Sequence, residues 1–141
     1  MNLAFFDPDS VKVIEYRTPD TVLVMRRTVG KWVAAGKDTI SEAKSYVVDA
    51  LLRKLTTLNF ERIIADPAAV TDRRLSSFAV TVSLEDLLGG AIDVVTIARS
   101  ADVEIGASRS ANVLGALKKG SLGEITSIFK RIGERPAPPA P

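Results

Sequence analysis

Phe78-Ala-Val-Thr-Val-Ser-Leu-Glu-Asp-Leu-Leu-Gly-Gly-Ala-Ile-Asp-Val-Val-Thr-Ile-Ala98 is the stretch whose reading decides the fold. Phe78 to Val82 has the β-branched density of a strand. Ser83-Leu-Glu-Asp86 has the make-up of a helix start, but Gly89-Gly90 cuts any helix short, because glycine has the most backbone freedom to lose. Ala91 to Ala98 is again rich in Ile, Val and Thr and reads as a second strand. Asp102-Val-Glu-Ile105 pairs with it through a turn at Ser100-Ala101. A helix through 84–98 is the competing reading. The strand reading predicts a mainly antiparallel sheet.

Upstream, Val11 to Arg17 and Thr21 to Val29 are two more β-branched runs, and Pro19 and Asp20 supply the turn of a hairpin between them. Trp32 is expected to pack where the chain leaves the sheet. Thr39-Ile-Ser-Glu42 is a capping box. It opens a long helix, about 40–64, whose stripe of Ile40, Ala43, Val47, Leu51, Leu55 and Leu58 is widened by Val48, Leu52 and Ile63. Asp66-Pro67 ends it, since the residue before proline avoids helical geometry.

Downstream, two short helices are predicted. The first begins near Ser108 or Ser110, carries Val113, Leu114 and Leu117, and ends at Lys118-Lys119 before Gly120. The second is capped by Ser121-Leu-Gly-Glu124 and stops at Gly133. The expected class is α+β in a single domain, residues 1–133, followed by a Pro/Ala-rich tail over 134–141.

Composition narrows the function classes. The 141 residues contain no cysteine and no histidine, so disulfides, thiolate chemistry and imidazole acid–base catalysis are excluded. No run of about 18 apolar residues free of charge marks a membrane span. The start, Met1-Asn-Leu-Ala-Phe-Phe-Asp-Pro-Asp9, lacks the basic region of a secretory signal. A cytoplasmic protein, or one built into a particle assembled there, is expected, with no membrane partner. Net charge is +2, divided as −2 over residues 1–107 and +4 over 108–141.

Several patterns invite a chemical reading and fail on spacing. Ser41-Glu-Ala-Lys44 fits the S-x-x-K of serine acylases, but Ser127-Ile-Phe-Lys130 fits equally and the companion motifs are missing. Gly115 and Gly120 have the separation of a phosphate loop, but Ser121 stands where that loop requires lysine. The carboxylates Asp7 and Asp9 lack the ligand spacing of a calcium loop. Glu85 and Asp86 suit a helix start, and Asp102 and Glu104 would share one strand face. No catalytic residue, metal or cofactor is expected.

Two patterns suit partners instead. The narrow stripe of Ile125, Ile128, Phe129 and Ile132 on the last helix, continued by Pro136, Pro138 and Pro139 in a PxxP-like tail, suits docking onto a neighbouring subunit. The doublets Arg26-Arg27, Arg73-Arg74, Lys118-Lys119 and Lys130-Arg131 would bind nucleic acid if the fold gathered them, since phosphate affinity scales with the charges neutralised. The leading expectation is a non-enzymatic structural or assembly subunit of a homo-oligomer or larger particle, a virion or phage component being one setting. The alternatives are a nucleic-acid-binding module and a small carboxylate- or lysine-dependent enzyme.

Overall fold

The computed structural model describes residues 1–34, 42–66, 75 and 77–133. Within 84–98 the chain is strand to Glu85, a turn over 86–90 and strand again from Ala91, with no helix. β1 (Val13–Arg17), β2 (Val22–Thr28), β3 (Lys31–Ala34), β4 (Phe60–Ala65), β5 (Phe78–Glu85), β6 (Ala91–Ser100), β7 (Val103–Ser108) and β8 (Leu114–Leu117) form one sheet in the order β3-β2-β1-β5-β6-β7-β8-β4. Every pair in it is antiparallel. Among the described residues the helices α1 (Glu42–Thr57) and α2 (Ser121–Gly133) complete the α+β fold.

The β1–β2 hairpin turns where Pro19 and Asp20 predict it, with the Thr18 N–H donating to the Thr21 carbonyl at 2.9 Å. Three expectations are corrected. Trp32 does not mark an exit from the sheet but lies in β3, because Val29 and Gly30 make a tight turn with both residues at positive φ, +50° and +77°. The long helix is shorter than 40–64: it stops at Thr57, and Phe60–Ala65 is β4. There the N-terminus competes with the helix. Leu3 N–H donates to the Leu58 carbonyl, and Phe60 N–H donates to the Met1 carbonyl, which holds residues 58–60 extended. The capping residues Thr39 and Ser41 lie outside the described residues.

The first of the two predicted short C-terminal helices is strand β8. Its four residues are all buried. Gly115 faces Gly106 of β7 across the ladder, and the Phe60 ring lies where a Gly115 β-carbon would be. A helix would have no such slot to offer.

The core lies between the helices and one sheet face. Val47, Val48, Leu51, Leu52 and Leu55 of α1 meet Ile14, Met25, Val80, Val82, Leu84, Val95 and Ile97. Each such side chain is worth about 1.5–3 kcal/mol when fully buried. The exposed Lys54–Glu124 ion pair between the helices, 2.6 Å long, contributes about 1 kcal/mol at most. Burial therefore sets how the helices sit. On the other sheet face Ala98, Ile105, Ala107 and Leu114 form a second cluster, with Ile64, Ala65, Leu75 and Val103 against it.

Candidate functional site

The apolar stripe of α2 is spent inside this chain. Ile125, Phe129 and Ile132 are buried and Ile128 is half-buried, all against the main core. The Phe129 ring stacks on Tyr16 of β1, centroids 3.5 Å apart and planes inclined by 17°. Burial raises the Tyr16 phenol above its ordinary value. Pro136, Pro138 and Pro139 lie outside the described residues.

Among the described residues the basic doublets do not share one surface. Successive strand residues point to opposite faces, so Arg26 is exposed on the open face. Arg27 is paired with the buried Trp32 on the helix-covered face. Lys118 and Lys119 precede α2, whereas Lys130 and Arg131 occupy its last turn, about 14 Å beyond its first residue at 1.5 Å per residue. Arg73 and Arg74 lie outside the described residues. Lys54, Lys118 and Lys119 do converge on one cleft of about 300 Å³, but Glu61 and Glu124 line it too. Glu124 donates nothing there; it accepts from Lys54, whose hydrogen bond and charge, with a smaller effect of Lys118, hold its carboxyl below the usual range.

Among the described residues two carboxylates are buried, Glu104 held by backbone amides and Asp93 by backbone amides and a serine hydroxyl. Glu104 accepts from the Gly120 N–H at 2.7 Å and the Leu122 N–H at 2.5 Å, and so fills the N-terminal end of α2 from across the sheet. The amides that a phosphate loop would offer at Gly120 are thereby occupied. Asp102 stands on the exposed turn before β7 and shares no site with Glu104. Asp93 accepts from the Arg109 and Ser110 amides at 3.0 and 3.2 Å and from the Ser110 hydroxyl at 2.5 Å. The Ser108 hydroxyl donates to the Leu3 carbonyl, tying the N-terminal segment to the same corner. Ser127 and Lys130 are exposed on α2, and Ser41 lies outside the described residues. Among the described residues no three His, Cys, Asp or Glu side chains come close enough together to hold a metal ion.

What the sequence reading missed are two hairpin tips. At the β5–β6 turn, Asp86 Oδ1 accepts from the Leu88 N–H at 2.9 Å and the Gly90 N–H at 2.8 Å, and Gly89 takes φ +82°. In this hydrogen-bonded turn Leu87 is 75% and Leu88 94% exposed. At the β2–β3 turn Val29 is 95% exposed. Register puts both turns at one end of the sheet, since Val13 pairs with both Arg26 and Glu85. The signal was present as two leucines directly before a glycine pair.

No family model matches this sequence, and no curated protein or solved structure is significantly similar to it. The geometry alone therefore carries the functional reading.

A groove lies at the opposite end of the sheet. Beside the β1–β2 turn, this groove of about 430 Å³ is lined by Tyr16, Thr18, Thr21, Val22, Leu23, Thr126, Phe129 and Lys130. Its aromatic and aliphatic floor is continuous with the main core, and Val22 remains 51% exposed in it. No helix among the described residues is long and apolar enough to cross a membrane.

Proposed function

We propose that this chain is a non-enzymatic, self-associating structural subunit, with its contacts made by the hairpin tips rather than by the α2 stripe. The observation that carries the reading is the exposure of Leu87, Leu88 and Val29 at one sheet end, on turns held by their own hydrogen bonds and backbone geometry. Isolated exposed apolar residues are ordinary on protein surfaces, but adjacent leucines on a hydrogen-bonded tip are the shape of an interaction site. A virion or phage particle is the kind of setting in which such a subunit works, on analogy alone. Sedimentation velocity over a concentration series tests the reading: the expected result is a weight-average mass that rises with concentration, and a constant monomer mass of 15.1 kDa overturns it.

A second reading, nucleic-acid binding, is favoured by the convergence of Lys54, Lys118 and Lys119 on one cleft. The two glutamates in the same cleft oppose it by repelling phosphate. Binding that weakens steeply with added salt and with Lys118→Ala and Lys119→Ala supports this reading; undetectable binding removes it.

A further inference from the structure

We propose that the Leu87–Leu88 tip of one copy seats in the Tyr16–Phe129 groove of the next, so that the chain associates head to tail. This rests on the reading that the chain self-associates, and it names the occupant of the groove. The two features lie at opposite ends of one ladder. In β1, Val13 pairs with Glu85, the residue before the tip, while Arg17 pairs with Thr81 and Val22 at the groove end. Four residues of strand, about 13 Å, separate those pairs, and the tip points away from the groove. A copy therefore cannot fill its own groove.

Size and polarity agree. A cleft of about 430 Å³ falls in the range of about 300–1,000 Å³ that holds a small ligand. Its floor of Tyr16, Leu23 and Phe129 is apolar, as the leucines require. Glu85 and Asp86 give the stem of the tip two carboxylates, with Lys12 and Arg26 as basic neighbours at that end of the sheet. Lys130 lines the groove and Arg131 follows it in the last turn of α2, with Asp20 as an acidic neighbour on the β1–β2 turn. A knob and a groove at opposite ends make a heterologous contact, which closes into a ring or grows as a filament. One hairpin tip makes a small interface, at the weak end of specific association, so assembly depends on concentration.

The test is sedimentation velocity of the wild-type chain, Leu88→Asp, Val22→Glu and an equimolar mixture of the two variants, from about 10 µM to about 1 mM, a range suited to a small interface. Both replaced side chains are at least half exposed, and unchanged circular dichroism and melting temperature verify folding; Lys130→Glu serves as a third variant that leaves the floor intact. Wild type is expected to form species larger than a dimer. Each variant should associate at least tenfold more weakly, and the mixture should give a 1:1 dimer that grows no further, because only one intact tip and one intact groove remain. Variants that assemble like wild type overturn the tip-in-groove contact while leaving self-association standing. Wild type that stops at a dimer overturns the head-to-tail arrangement. Wild type that stays monomeric throughout overturns self-association itself.

Discussion

Replacing Glu104 by alanine removes the carboxylate that accepts from the Gly120 and Leu122 amides at the start of α2. Hydrogen bonds to a charged group are worth about 1.5–3 kcal/mol each. Gly120 is exposed and its amide regains water, but Leu122 is buried and its amide does not. The expected loss for Glu104→Ala is therefore about 3 kcal/mol, between the cost of one such bond and two. Glu104→Gln keeps one acceptor oxygen but loses the charge opposite the helix dipole, and should cost about 1–2 kcal/mol. Urea unfolding reads both as a lower midpoint at unchanged slope, and the alanine variant should melt about 10 °C lower. Amides in the first turn of α2 should lose hydrogen-exchange protection before those of α1. A loss below about 0.5 kcal/mol for Glu104→Ala, the range of ordinary surface substitutions, would refute the capping role. Equal losses for alanine and glutamine would show that the charge is irrelevant.

Other perturbations have signs fixed by local geometry. Val29 sits at φ +50° and is 95% exposed, so Val29→Asn should raise stability by about 1 kcal/mol, because a β-branched residue is strained there and asparagine is tolerated; a lower unfolding midpoint would contradict this. Gly115→Ala puts a β-carbon into the Phe60 ring and should cost about 1–3 kcal/mol, part of which Phe60→Leu in the same chain restores; strictly additive losses would place the strain elsewhere. The Tyr16 phenol titrates above its ordinary value because it is buried. A raised folded-state value means that its stabilisation is complete below about pH 10, the unfolded value, and is lost as pH climbs through the folded one. Tyr16→Phe should therefore flatten the alkaline arm of the stability curve, and an unchanged arm would assign that arm to other groups.

The parts of the fold that were legible are those whose cause is local. Turn residues and β-branched runs gave β1, β2, β5, β6 and the pairing of β7, and the glycine pair correctly outweighed the helix-like Ser83–Asp86. Two of the three misreadings have a long-range cause, and the third a local one that a β-branched residue disguises. β4 is extended because Met1–Leu3 bonds to it from the other end of the chain. β8 is buried on both faces and so shows no alternation, leaving Leu114 and Leu117 looking like one helical face. β3 depends on a valine at positive φ, which local statistics disfavour. At the candidate site, the apolar spacing on α2 was real but pointed inward, and the same pattern serves a core or a partner. Leu87 and Leu88 were visible as residues, yet their exposure follows only from Asp86 closing the turn as a hairpin instead of starting a helix.

The strand order also shapes how this chain reaches its fold. Five of the seven pairings join neighbours along the chain, but β1 finds β5 and β4 finds β8 only across long intervals. Loops of that length must close before their contacts stabilise anything, which slows folding. During synthesis β1 cannot gain its second partner until Glu85 has been made, 68 residues after Arg17. At about 5–20 residues per second that interval is roughly 3–14 s. A nascent chain that paired β1 with β2 within that interval would present Val13 to Arg17 as an open edge, so the seam that completes the sheet is also a place for mispairing.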